Sequence, residues 1–170
     1  MRWAPLGVRG ELGNEWLFLF LYMPQTNITI RNFEWPDLNS VTALTNELGY
    51  PTTVEQMKIR MEQILQLENY WTFVAEMDNQ VVGYIGINKN YFWEQDGNFI
   101  RIQALVVKKE FRRHHVGQHL IEAAEKHARQ LNSRLLILNS GNRDERQAAH
   151  QFYPRMGFEG KSTGYTKRLM

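Results

Sequence analysis

The chain has 170 residues, with 20 Lys and Arg against 18 Asp and Glu, a formal net charge of +2. A chain of this length suits one domain that buries roughly 70% of its unfolded surface, and 43% apolar residues with 12 Gly and 5 Pro exclude disorder as its dominant state. The absence of cysteine excludes a disulfide framework, a Cys-ligated zinc or iron–sulfur site and a thiol nucleophile, and the near-balanced charge gives no support for coating nucleic acid.

Residues 1–26 stand apart. Trp16–Met23 is an apolar run, far short of the roughly 18 residues of a membrane span. Arg2 and Arg9 precede it as in a signal peptide, but Glu11 and Glu15 interrupt the approach and no small-x-small cleavage site follows. A cytoplasmic location is expected, and the sequon Asn27-Ile28-Thr29 then carries no meaning. Met23–Thr26 leads into what resembles the start of a domain, so residues 1–26 form an N-terminal appendage to a domain at 27–170. The appendage packs as an added strand, mediates homodimerisation, or reflects an upstream start.

Ile28, Ile30 and Phe33 alternate with polar residues, as in a strand. Asp37 precedes the helical stripe Leu38, Val41, Leu44 and Leu48, which Gly49-Tyr50-Pro51 stops. Thr53 and Gln56 form a capping box ahead of Val54, Met57, Met61, Ile64 and Leu65. Trp71–Met77 and Val81–Ile87 make a hairpin over the Asp78-Asn79 turn. Phe99–Val107 is a further strand, and residues 116–131 form a helix on the face of Val116, Leu120, Ala124, Ala128 and Leu131. Leu135–Leu138 has the continuous apolar character of a doubly buried strand. Ala148–Met156 is a short helix closed by Gly157, with Phe158–Lys161 and Tyr165–Leu169 as a last hairpin. The order β-α-α-β-β-β-α-β-α-β-β is that of a mixed α/β domain, a central sheet flanked by helices.

The stretch with most chemistry runs from Leu105-Val106-Val107 through Lys108, Lys109, Arg112, Arg113, His114 and His115 into the helix at Val116-Gly117-Gln118. A helix start presents unpaired N–H groups and about half a positive charge, Gly117 permits close approach, and the basic side chains add to the field. The combination suits a pyrophosphate; the ordinary alternative is a solvated basic turn with Gly117 packed on the sheet. Neither Gly-x-Gly-x-x-Gly nor the P-loop pattern is present. His115 and His119 have the i, i+4 spacing of zinc ligands, but Val116 stands where His-Glu-x-x-His needs its glutamate and no third ligand is evident, so no metal is expected.

Leu105-Val106-Val107 followed, four residues on, by Arg112-Arg113-His114-His115-Val116-Gly117 resembles the acetyl-CoA motif of the GNAT superfamily of N-acetyltransferases, a Leu-x-Val strand and then Gln/Arg-x-x-Gly-x-Gly/Ala opening a helix. Arg112 matches the first position and Gly117 the last, while His115 stands where the pattern has its first glycine. Downstream, Arg146-Gln147-Ala148-Ala149-His150-Gln151-Phe152-Tyr153-Pro154-Arg155-Met156-Gly157-Phe158 is similar to the family's Arg-x-x-Ala-His-x-Phe-Tyr-x-x-x-Gly-Phe, with Pro154 expected to kink the helix. The element order over 27–170 is also the superfamily's.

The resemblance implies that the strand ending at Val107 splays from Leu135–Leu138 and that the pantetheine arm of acetyl-CoA, a cosubstrate, lies in the gap. A backbone N–H of Leu105 or Val106 would polarise the thioester carbonyl. Arg112, Arg113, His114, His115, Val116, Gly117 and Gln118 would hold the pyrophosphate, with Leu105, Val106, Val107, Asn142 and Arg146 as further cofactor contacts. Tyr153 would be the general acid for the leaving thiolate; its ordinary alternative is a half-buried packing aromatic. Without cysteine, direct attack in a ternary complex is the expected route. The position that some relatives fill with a catalytic glutamate is Arg101, so the base does not transfer, leaving Glu94, Asp96 or a water relay. Residues 34–69 are four net negative and residues 101–115 four net positive, which suits an anionic donor and a cationic amine, small-molecule or peptide. The expectation is an N-acetyltransferase acting on a primary amine, with no nucleic-acid or membrane partner; the alternative is a non-catalytic acyl-CoA-binding or sensory module on the same fold.

Overall fold

A computed structural model describes residues 27–141 and 147–169. The N-terminal appendage at 1–26, together with Asn142 and Arg146, lies outside the described residues. Five strands form one sheet in the order β1-β2-β3-β4-β5: β1 Ile28–Asn32, β2 Tyr70–Met77, β3 Gln80–Tyr91, β4 Asn98–Val107 and β5 Leu136–Leu138. The first four pair antiparallel, and β5 joins β4 in parallel. The hairpin between β2 and β3 turns through Asp78 and Asn79, whose φ values of 50° and 61° are those of a type I′ turn.

Among the described residues four α-helices flank the sheet: α1 Leu38–Glu47, α2 Val54–Leu65, α3 Val116–Gln130 and α4 Gln147–Arg155. The capping box at α2 forms as its sequence predicts, Gln56 N–H donating to Thr53 Oγ1 at 3.3 Å and Thr53 N–H to Gln56 Oε1 at 3.0 Å. One apolar layer joins α3 (Val116, Leu120, Ile121, Ala124, Ala128) to Ala75, Ile85, Ile87, Ile100 and Ile102, with Phe111, Phe152 and Phe158 against its edge. The other joins α1 and α2 (Val41, Leu44, Met57, Met61) to Val74, Tyr84 and Val106. Burial of both sheet faces explains the apolar runs in the central strands.

Asp37 differs from a simple helix cap. It accepts Glu34 N–H at 2.9 Å and receives both Arg31 guanidinium nitrogens, at 2.7 and 2.9 Å. Arg31 also donates to Glu76 on β2, so this cluster ties β1, β2 and the entry to α1.

The expected closing hairpin is not formed: residues 158–169 carry no strand, and every side chain after Phe158 is exposed. Tyr165 and Leu169 are 93% and 87% exposed. A two-stranded ribbon without a covering face is marginal in water, and the three residues of β5 offer it little edge.

Candidate active site

The site begins with a change of phase in β4. Gly86 pairs with Ala104, but the next residue, Ile87, pairs with Ile102, so Gln103 is an extra residue in β4. Such a bulge shifts alternation by one. Ile100 and Ile102 therefore share the α3 face with Leu105 and Val107, while Ala104 and Val106 take the α1/α2 face. The spacing Ile100, Ile102, Leu105, Val107 carried this signal in the sequence.

Beyond the bulge, β4 loses its neighbour. The β4–β5 register covers only Ile100↔Leu136, Arg101↔Ile137 and Ile102↔Leu138, so residues 103–107 have an open edge among the described residues. Lys108 N–H turns towards β3, donating to Val82 O at 2.8 Å. Peptide groups alternate along a strand, so those of Leu105 and Val107 face the open edge. The carbonyl of Val107 accepts Arg112 Nε at 3.2 Å from that side. The amide of Leu105, rather than that of Val106, is the one presented to the gap.

The turn after β4 ends in the start of α3. Arg113 and His115 have φ values of 68° and 60°, in the left-handed region, and alternation of this kind turns successive N–H groups towards one concavity. His115 is the N-cap residue, but no side chain caps the helix. The first helical bond is His119 N–H to His115 O at 3.0 Å, which leaves the amides of Val116, Gly117 and Gln118 outside the helical ladder. Arg112, Arg113, His114 and His115 are exposed around them. His115 Nδ1 lies 3.2 Å from Gln118 Oε1, and His119 Nδ1 lies 3.2 Å from Glu122 Oε2. Glu47, at the end of α1, accepts Lys109 N–H at 3.0 Å and so ties the turn to α1. Sequence reasoning did not anticipate that tie, which crosses 62 residues.

Gly117 has a packing role as well. A Cβ on it would meet Phe152 Cζ at 3.2 Å and Val107 Cγ2 at 3.7 Å, so α4 seats an aromatic ring over the helix start. Tyr153 is the next residue. It is half-buried, and its ring makes edge contacts with Phe152 at 5.5 Å and Phe158 at 5.7 Å. The helix end holds it there: Phe158 N–H donates to Tyr153 O, Gly157 N–H donates to Pro154 O, and Gly157 has φ 81°. That is a Schellman closure with its usual apolar contact. Pro154 lies in the last turn of α4, so the helical bond its missing N–H removes is at the end of the helix rather than in its middle.

The acidic half of the chain is less free than its count implies. Asp37 is 5% exposed, and the Arg31 guanidinium holds its carboxyl below the ordinary carboxylate range. Glu47 is engaged by the Lys109 amide.

The fourth strand of a mixed five-stranded sheet thus parts from its parallel neighbour directly ahead of an uncapped helix start. Residues 30–158 match the Acetyltransferase (GNAT) family, and the chain belongs to that family. It is similar to a GNAT family acetyltransferase from Staphylococcus aureus, at 30% identity and a TM-score of 0.72 over 84% of this chain and 98% of that one. An aminoglycoside N-acetyltransferase solved in complex with CoA shares the fold, with 19% identity and a TM-score of 0.73 over 84% and 95% of the two chains. An aminoalkylphosphonate N-acetyltransferase of Salmonella typhimurium is 31% identical over 96 residues, which span 56% of this chain and 61% of that relative. Among the described residues no helix is long and apolar enough to cross a membrane.

Proposed function

We propose that the chain is an acetyl-CoA-dependent N-acetyltransferase that moves an acetyl group to a primary amine by direct attack within a ternary complex. The observation that carries this reading is the parting of β4 from β5 after Ile102 and Leu138, directly ahead of the uncapped start of α3. The residues fit an elongated donor with a pyrophosphate at one end. The turn amides at 113–117 and the side chains of Arg112 and Arg113 hold the phosphates, and the open edge of β4 bonds the pantetheine amides. Leu105 N–H points at the thioester oxygen and stabilises the charge that develops there. As the amine nitrogen bonds the carbonyl carbon, the carbon–sulfur bond breaks and Tyr153 gives its phenolic proton to the departing sulfur. The amine proton leaves to water. Asn142 and Arg146 complete the donor site in this proposal, residues 27–170 form the catalytic domain, and a chain beginning at Met23 binds CoA with unchanged affinity.

The test is free-thiol release from acetyl-CoA by purified protein against an amine panel. The panel contains polyamines, aminoglycosides, amino acids, peptide N-termini and, because of the similarity to an aminoalkylphosphonate N-acetyltransferase, aminoalkylphosphonates. Amine-dependent CoA release is the expected result. Tight CoA binding without turnover across the panel would leave a non-catalytic acyl-CoA-binding module.

A further inference from the structure

Ile100 and Ile102 face α3, so Arg101 between them projects to the α1/α2 face. Its cross-strand partner is Asn88, which therefore shares that face. Asn88 is 4% exposed, and its Oδ1 accepts Gln103 Nε2 at 2.8 Å. The extra residue of the bulge thus lends its amide to a polar group at the point where β4 and β5 separate. Arg101 is half-buried and has no hydrogen-bond or ion-pair partner among the described residues. Arg31, by contrast, is held by two carboxylates. An arginine head with no carboxylate partner in the fold can offer its planar fork of donors to an oxyanion on a ligand.

The surface beside it is low. Gly86, between Ile85 and Ile87 of the α3 face, would direct a side chain to the same side as Arg101. A Cβ there meets only Ala104 Cβ, at 3.9 Å. Gly86 and Ala104 thus make a shallow floor between the polar group and the apolar row Val74, Tyr84 and Val106. Along β4, Arg101 lies four residues from Leu105, a span of at most ~13 Å at about 3.3 Å per residue, much of which the arginine stem covers.

We propose that Arg101, supported by Asn88 and Gln103, anchors an acid group on the acceptor, so that the substrate is a small amine carrying a phosphonate, phosphate or carboxylate over the Gly86–Ala104 floor. This inference rests on the acetyltransferase reading.

The experiment compares acetylation of aminoalkylphosphonates, aminoalkyl phosphates and amino acids with that of alkylamines of matched length that lack the acid, in wild-type protein, Arg101→Gln and Gly86→Val. Wild-type protein should favour one acidic class by at least tenfold in kcat/KM, and the favoured class identifies the oxyanion. Arg101→Gln should raise KM for that class at least tenfold while leaving KM for acetyl-CoA and the rate with the neutral amine unchanged. Gly86→Val should raise acceptor KM without altering CoA affinity. Equal loss for acidic and neutral amines, or a wild-type preference for acid-free or polycationic amines, would overturn the proposal. If no amine is acetylated although CoA binds, the acetyltransferase reading fails separately. The anchor is then judged by calorimetry of 2-aminoethylphosphonate, 2-aminoethyl phosphate and glycine into the CoA-bound protein. At least tenfold weaker binding of any of them to Arg101→Gln upholds it, and indifference of all three to that substitution rejects it.

Discussion

The ring of Phe152 occupies the space that a side chain on Gly117 would need, with Cζ 3.2 Å from the Cβ position. The glycine at the start of α3 therefore also seats the helix that carries Tyr153. The proposed donor site and the proposed acid are mechanically joined.

Gly117→Val should weaken CoA binding at least tenfold, about 1.4 kcal/mol, and lower stability through the clash with Phe152. In a Phe152→Ala background the stability loss should shrink, with a coupling energy of roughly 0.5–3 kcal/mol. Urea midpoints for the four proteins of the cycle, together with CoA calorimetry, measure both effects. Additive stability losses would place the clash elsewhere.

His115 occupies the left-handed region at φ 60° and ψ 5°, a conformation glycine adopts without a steric penalty. His115→Gly should therefore raise stability by about 1 kcal/mol and leave CoA binding as tight or tighter. A lower thermal midpoint in the variant would show that the His115 contact with Gln118 outweighs the strain.

Tyr153→Phe keeps the ring contacts with Phe152 and Phe158 and removes only the hydroxyl. CoA affinity should change little, and kcat should fall by roughly 10²–10⁴-fold, the usual span for a positioned acid. A thiol near pKa 8.5 leaves as thiolate more readily at high pH, so the defect should narrow as pH rises. Unaltered single-turnover rates across the pH range would make Tyr153 a packing residue.

Arg31 holds the Asp37 carboxyl below its ordinary value of 3.8. A carboxyl depressed in the folded state binds fewer protons there than in the unfolded chain, so stability rises with pH through this window. The contribution is present above about pH 4 and is lost as pH falls through the folded value. Asp37→Asn should flatten that acid limb and cost about 2 kcal/mol at neutral pH, less than a fully buried pair because Arg31 retains Glu76. An unchanged acid limb in denaturant titrations would assign it to another carboxylate.

His127 on α3 packs edge-on to Trp71 at 4.5 Å and Phe73 at 5.5 Å, and its Nε2 is buried without a hydrogen-bond partner among the described residues. Burial lowers its pKa from 6.5. The unfolded chain binds the proton more readily, so the protein should lose stability as pH falls below about 6.5. His127→Leu should abolish that slope and raise stability by about 1 kcal/mol, the low end of the cost of an unpaired buried polar group. A less stable His127→Leu protein would point to a contact that the imidazole alone supplies.

Features written in a few adjacent residues were legible from the sequence alone. The Thr53–Gln56 capping box, the Asp78-Asn79 turn, the amphipathic α3 and the strand–basic turn–helix stretch from Leu105 to Gln118 each depend on interactions within about one helical turn or one hairpin. The two motifs at 105–117 and 146–158 could therefore be placed on their elements in the right order. Which peptide groups face the gap was decided by pairing across the sheet, because the bulge at Gln103 exists only relative to Gly86 and Ile87 on β3. The seat of Phe152 over Gly117, the capture of Asp37 by Arg31 and the grouping of Arg101 with Asn88 and Gln103 likewise join residues that only folding brings together. The tail at 158–169 makes the same point from the other side. Its alternating pattern suits a hairpin, but alternation specifies a strand only where a neighbouring edge and a covering face are available. The sequence by itself determined the locally specified elements and the strand–basic turn–helix motif; the tertiary structure decided the open edge of β4 and the shape of the proposed acceptor floor, because both are set by long-range register rather than local preference.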